Sequence, residues 1–440
     1  MAAVLIGSLV VKLALWGWIA TVDPSRFWEG TETTSYMAPA RALAETGTFA
    51  TGPGLSTPET YRTPGYPAFL ASAIQLFGEA SLWPILLQIV LSVATLAIVG
   101  WLAAEIVSDD RAPVAAVWIA ALDVVSASFS LLLLTESLFT FVLAAAAAAG
   151  IRALRAANGV PWAATAGLLL GAAALVRPIG YYLPVPFAAA LALGSVKQIG
   201  WRLALRSALT VCLSAAVGIG AWQLRNQVVA GTWVFSGVEL EARSDRSVMV
   251  ESLNGTRQGW SVEGESSPDL GHAPRLVVLG ATILQNAAGL MLGPGEHRFI
   301  RLLGYAAPDA PGLDLRLLVV APEPNRPSLT PGEFAAKWLR ALHWPMLPFA
   351  VAALHIVALN VGLLAWAASA WRRRAFSRRD LLMWGILGYF LIVSYSSSRF
   401  RVPIMPMLSV YAAAGWLRLR PFRRTEEPVA NVCDRHTWSI

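Results

Sequence analysis

Charge is what this sequence has least of. Asp, Glu, Lys and Arg make up 14% of its 440 residues, against about 25% in an average soluble domain. With 56% hydrophobic residues and a mean hydropathy of +0.56, that scarcity excludes an ordinary water-soluble globule. Cysteine is scarcer: Cys212 and Cys433 are the only two, too few for a disulfide framework. His272, His297, His343 and His355 are scattered, with no His/Cys cluster at zinc-ligand spacing. The net charge of +7 is spread over short loops and the tail rather than gathered in one basic patch, which argues against nucleic acid as a partner. The first apolar run lacks a basic leader region and a small-x-small cleavage site, so it is expected to be a retained helix. No internal repeat is evident.

What is present is apolar runs of about twenty residues, the length that crosses a bilayer. They fall at 2–21, 82–106, 112–134, 137–154, 161–176, 179–195, 204–224, 345–371, 380–397 and 402–418, which predicts an all-α polytopic membrane protein of about ten spans. Basic loops follow several of them, at Ile151, Lys197, Trp371 and Arg418. Placing these loops on the cytoplasmic side lets all the spans alternate and puts both termini inside. The loops without basic clusters then lie outside. The segment 65–78 is too short for a span and is expected as an interfacial helix; the apolar piece beginning at Arg275 is expected either as a second one or as part of an external subdomain. The layout reads as a transmembrane module over 1–226 with a long first external loop at 22–81, an external lobe over 227–344, closing helices over 345–420 and a cytoplasmic tail over 421–440.

Ionisable residues beside a membrane are costly and are candidates for function. On the expected outer face lie Asp23, Glu29, Glu32, Arg62, Glu136, Arg177, Arg225, Arg399 and Arg401. A lone arginine at a helix end is commonly a snorkelling anchor, and a lone glutamate a turn residue. Here the arginines come with helix-breaking or polar company, in "YRTPGYP", "LVRPIGYY", "WQLRNQ" and "SYSSSRFRVP". A cavity that held them together would bind a phosphate and place a carboxylate beside it. Two ionisable residues, Asp123 in "AALDVVSAS" and Lys12, sit within apolar runs; contacts with Ser126 or a neighbouring helix for the first, and snorkelling or pairing with a neighbouring helix for the second, are the expected roles.

Six segments in order carry a resemblance: "ETTSYMAPARALAETGTF" from Glu32, "RTPGYPAFLA" from Arg62, "LLLTESLF" from Leu132, "ALVRPIGYYL" from Ala174, "AWQLRNQVVAGTWVFS" from Ala221 and "SRFRVPIMPMLSVYAAAGW" from Ser398. Together they resemble the polyprenyl-phosphate-sugar-dependent glycosyltransferases of the GT-C fold, the protein mannosyltransferases and the aminoarabinose transferases (glycosyltransferase family 39-like). The family's first external loop carries an acidic residue before a Tyr, then Ala, Leu and Gly; these positions read Glu32, Tyr36, Ala40, Leu43 and Gly47. The family usually has Asp where this chain has Glu32, and Glu29 and Asp23 stay open as alternates. Asp123 stands where the family has proline.

The resemblance implies an inverting glycosyltransferase in a bacterial inner membrane, taking a sugar from a polyprenyl-phosphate donor to a glycan, lipid or protein acceptor on the external face. It implies Glu32 as general base, and Glu136 as the group that orients acceptor or sugar or holds a metal. Arg62, Arg399, Arg401, Arg177 and Arg225 are then the donor phosphate ligands, and Tyr36, Tyr61, Tyr66 and Asn226 form the acceptor or sugar pocket. A metal is left open, Mg²⁺ or Mn²⁺ being the candidates. A flippase or transporter of a polyprenyl-linked lipid, and a lipid-linked oligosaccharide polymerase or ligase, are the alternatives. Inverted repeats would favour the transporter.

Overall fold

A computed structural model of the chain describes residues 1–51, 57–79, 82–156, 158–242, 284, 287–293, 295, 297–304, 346–373, 377–394 and 398–419. Most of the expected external lobe, the beginning of the apolar piece from Arg275 and the tail 421–440 lie outside the described residues.

Helix α1, Ala2–Val22, is apolar throughout. At 1.5 Å per residue its length matches a hydrocarbon core of about 30 Å. Two shorter helices follow before the chain turns back: α2, Gly30–Thr46, and α3, Gly65–Phe77. Between them β1, Ala50–Thr51, pairs antiparallel with β2, Thr57–Pro58. The bundle continues with α4, Trp83–Ile106, α5, Ala112–Ala121, α6, Val124–Leu131, α7, Glu136–Arg155, α8, Val160–Val176 and α9, Pro184–Ala230. After α10, His297–Leu302, come α11, Met346–Arg373, α12, Arg378–Val393, and α13, Met405–Leu419. A 3-10 turn, Ser398–Ile404, leads into α13.

Among the described residues, six helices are long and apolar enough to cross a membrane, or seven if the bent pair α5 and α6 counts as one span. This differs from the ten runs read in the sequence, for identifiable reasons. The runs 179–195 and 204–224 fall on the two halves of α9, which is two helices joined at a kink at Gly200, φ 76° and ψ 163°, rather than one long span. Only glycine takes that backbone without strain. Helix α8 has 17 residues and α12 has 16, short of a full span. The run 112–134 is not a single helix, because α5 and α6 meet at a bend of 61°. Asp123 sits at that bend rather than within a helix, and its carboxylate accepts from the Ser126 backbone N–H at 2.9 Å and from its hydroxyl at 2.5 Å. An aspartate that caps α6 in this way starts a new helix instead of continuing the old one.

The bundle's outward faces are apolar: Leu213, Val217, Leu354 and Leu364 are all well exposed, as residues facing lipid are. Lys12, buried on α1, donates to Ser92 Oγ of α4 at 2.5 Å, which satisfies a charge that lipid would not. Helix α3 packs against the end of α8 so closely that a Cβ on Gly65 would lie 2.8 Å from the Leu175 carbonyl and the Val176 nitrogen. Because α7 begins at Glu136 and α8 ends just before Arg177, these two residues meet at one end of the bundle, beside α2, α3 and the turn before α13. At the opposite end Arg155 pairs with Glu105, and Arg379 donates to the Glu105 carbonyl.

Candidate active site

Arg399, on the turn before α13, is the hub of that first end. Its two terminal nitrogens grip Glu32 of α2 as a fork, Nη1 to Oε2 at 2.7 Å and Nη2 to Oε1 at 2.6 Å. Its Nε donates to Glu136 Oε1, which also accepts from Arg177 Nη1 at 3.0 Å. Glu136 is completely buried. A carboxylate there is tolerable only because two guanidiniums face it. The local sequence explains the placement. Glu136 opens α7, Arg177 follows the last residue of α8, and the proline after Arg177 ends that helix.

Arg62 reaches the site from the turn before α3. Its Nε donates to Ser35 Oγ at 3.1 Å, its Nη1 to the Tyr36 hydroxyl at 3.0 Å, and its guanidinium lies 4.4 Å from the centre of the Tyr36 ring. The backbone N–H groups of Tyr61 and Arg62 both donate to Glu59 Oε1, at 2.5 Å and 3.0 Å, which fixes the turn that carries Arg62. Burial raises the Tyr36 phenol above its ordinary value although Arg62 beside it pulls the other way, so Tyr36 remains a neutral donor.

Glu32, Tyr36, Arg62, Arg177 and Arg399 line one cavity of about 160 Å³, together with Pro178, Ile179, Tyr182, Val238, Glu239, Ala242, Tyr389, Val393 and Phe400. Glu136 stands behind it, tying Arg177 to Arg399. A second, smaller cavity deeper in the bundle runs past Lys12 and Asp123.

The other residues singled out from the sequence lie elsewhere. Arg401 is fully buried; its Nη1 donates to the Leu290 and Gly293 carbonyls at 3.0 Å and 2.7 Å, and its Nη2 lies 3.6 Å from Asp123. Its neighbour Arg399 points to the cavity and Arg401 does not, because the 3-10 turn sends the two side chains in different directions. Arg225 donates to the carbonyls of Glu59 and Phe49, at 2.6 Å and 2.7 Å, and to Asn226 Oδ1, and so fastens the β-hairpin to α9. Asn226 donates to the Val234 carbonyl at 2.9 Å. Tyr66 is buried with its hydroxyl on Gln88 at 2.7 Å, and the Tyr61 hydroxyl donates to Glu241 at 2.8 Å. None of these five lines the cavity. Of the alternates to Glu32, Asp23 is held below its ordinary pKa by hydrogen bonds from Ser25 and Arg26, while Glu29 pairs with Arg298 at 3.3 Å and with Arg301.

Glu239, Tyr182, Tyr389 and Phe400 line the cavity without having stood out in the sequence, and Arg298 approaches Phe129, the ring that Arg399 also faces. Tyr182 does fall within the "VRPIGYY" segment; Glu239 and Arg298 had no local pattern to mark them. The carboxylates do not fit a divalent cation in this arrangement. Both oxygens of Glu32 are taken by Arg399, and Glu136 Oε1 by two arginines. Among the described residues no three His, Cys, Asp or Glu side chains converge.

No protein-family model and no curated protein matches the chain. Solved structures do. The oligosaccharyltransferase AglB from Archaeoglobus fulgidus, in complex with an inhibitory peptide and a dolichol-phosphate, matches with a TM-score of 0.53 at 16% identity, over 94% of this chain and 50% of that one. The apo oligosaccharyltransferase from the same organism matches with 0.52 at 16% identity over the same shares. ArnT from Cupriavidus metallidurans in the apo state aligns with a TM-score of 0.42 at 15% identity, over 93% of this chain and 76% of that one. The chain spans about half the length of the archaeal structures it matches. AglB has the GT-C fold, and at these identities the likeness concerns the fold. The chain is a polytopic membrane protein with the GT-C fold.

Proposed function

We propose that this protein is an inverting glycosyltransferase that moves a sugar from a polyprenyl-phosphate donor to an acceptor hydroxyl at the outer face of a bacterial inner membrane. The observation that carries the reading is the single cavity in which Arg62, Arg177 and Arg399 stand with the carboxylate of Glu32. Three arginines suit a phosphate, which accepts forked hydrogen bonds. The archaeal oligosaccharyltransferase of the same fold was solved with a dolichol-phosphate, a lipid phosphate of the proposed class. In this reading the first external loop supplies the base, and the lobe over 227–344 selects the acceptor.

The Glu32–Arg399 fork gives the chemistry an order. While the fork is closed, both carboxylate oxygens accept from Arg399. A donor phosphate offers the guanidinium another anion, which frees a Glu32 oxygen for the acceptor hydroxyl. The acceptor oxygen then bonds to the anomeric carbon as its proton passes to Glu32. The bond from that carbon to the phosphate oxygen breaks, its electron pair leaves with the polyprenyl phosphate, and the arginines stabilise the charge. One displacement inverts the anomeric centre.

Glu32→Gln tests this. The amide keeps the shape but takes no proton, so turnover falls by roughly 10²-fold or more while donor lipid still binds. Mass spectrometry of lipid co-purified with the variant identifies the donor. A variant with more than about a tenth of wild-type turnover would remove Glu32 from the role of base.

A further inference from the structure

Glu239 is the one carboxylate lining the cavity that the proposed reaction leaves without a task. It is 6% exposed, and its surroundings hold it in place. The backbone N–H of Glu239 donates to Ser236 Oγ at 3.0 Å. Gly237 N–H donates to the Thr60 carbonyl at 3.0 Å and Val238 N–H to the Tyr61 carbonyl at 3.4 Å. The segment that carries Glu239 is therefore bound to the same turn that carries Arg62. On the other side the Tyr182 hydroxyl donates to Glu239 Oε1.

A buried carboxylate is expensive unless it is hydrogen-bonded. Glu239 also stands in a cavity whose arginines would hold a phosphate, and a carboxylate repels a phosphate. Its chemistry suits the uncharged part of the donor. A carboxylate offers about four acceptor positions, and sugar hydroxyls are donors. Aromatic side chains, Tyr182, Tyr389 and Phe400, line the same cavity and supply faces for the C–H side of a sugar ring. We propose that Glu239, positioned by Tyr182, is a specificity-determining residue that accepts hydrogen bonds from the hydroxyls of the donor's sugar. The proposal rests on the glycosyltransferase reading.

Binding to purified protein in nanodiscs separates the two. The probes are undecaprenyl phosphate alone and undecaprenyl phosphate bearing a neutral hexose, a neutral pentose or an amino sugar. The wild type is expected to bind at least one sugar-bearing lipid more tightly than the bare lipid. Glu239→Gln, whose amide oxygen still accepts from Tyr182, is expected to lose about tenfold toward that lipid, the scale of a hydrogen bond to a charged group, and to stay within about twofold for the bare lipid. Tyr182→Phe, which keeps the ring but removes the hydroxyl's hydrogen bond to Glu239, is expected to weaken binding of sugar-bearing lipid less than Glu239→Gln does. Equal losses for bare and sugar-bearing lipid in Glu239→Gln would make the residue structural and overturn the proposal. So would a wild type that gains nothing from any of the sugars. A wild type that does not bind bare undecaprenyl phosphate would instead sink the glycosyltransferase reading, and the proposal with it.

Discussion

Single side chains divide here into those that face the cavity and those that hold it open. Arg62 faces it, and two features of its setting depend on a planar guanidinium: the stack on the Tyr36 ring and the separate bonds from Nε and Nη1. Arg62→Ala is expected to weaken donor binding about ten- to a hundredfold, the range for a charge-assisted contact. Arg62→Lys recovers only part, since lysine keeps the charge but not the fork. Titration with undecaprenyl phosphate checks both; wild-type affinity in both would reduce Arg62 to an interfacial anchor. Glu136 belongs to the second group. Replacing it with Gln leaves Arg177 and Arg399 buried against an uncharged amide, which is expected to cost about 3–5 kcal/mol of stability. The loss is read as a lowered melting temperature in detergent, and an unchanged one would mean that Glu136 is not what holds the two arginines. The spacing of Glu32 and Tyr36 was legible because both lie on one turn of one helix. The difference between Arg399 and Arg401 was not, because two arginines separated by a single residue look alike until the turn that aims them is seen.

At the scale of elements, the stretch "YRTPGYP" makes sense through its glycine. Pro64 and Pro67 stand where α3 starts, since the first turn does not need their missing N–H groups. No pattern in the sequence signals that Gly65 meets the backbone of α8 two residues before Arg177. That approach sets the separation between the turn bearing Arg62 and the helix end bearing Arg177. Gly65→Ala puts a methyl group where the α8 backbone stands, and backbone does not give way as a flexible side chain does. The substitution is expected to destabilise the fold by about 1–3 kcal/mol and to weaken undecaprenyl phosphate binding as Arg62 moves off Arg177. Unchanged melting and unchanged binding would show that α3 shifts at no cost to the site. The number of spans also turns on this scale. Hydropathy registers how apolar a run is, but not that Asp123 caps a new helix at a bend or that α9 kinks at Gly200.

For the molecule as a whole, the site exists only because the chain closes on itself: Glu32 and Arg399 are 367 residues apart in sequence. No local pattern announces such a pairing, although the motifs flanking each residue did point to both. The same closure sorts charge to the two ends of the bundle. One end carries Glu32, Arg62, Glu136, Arg177 and Arg399. The other carries Arg152, Arg155, Arg379 and Arg418, with Arg152 lying 5.2 Å from Trp101 and 5.0 Å from Trp162 ring centres, the aromatic company of an interface. Lys and Arg in short loops favour the cytoplasmic side, so the cavity is expected to open on the opposite face, where a lipid-linked donor would meet its acceptor. Two exposed positions report on the two ends, Thr48 just after α2 and Ser108 between α4 and α5. With Cys212 and Cys433 replaced by serine, Thr48→Cys is expected to react with a membrane-impermeant maleimide in intact cells once the outer envelope is permeable to it. Ser108→Cys is expected to react only after the inner membrane is opened. Labelling of position 108 in intact cells, with position 48 protected, would invert the orientation and place the cavity on the cytoplasmic face.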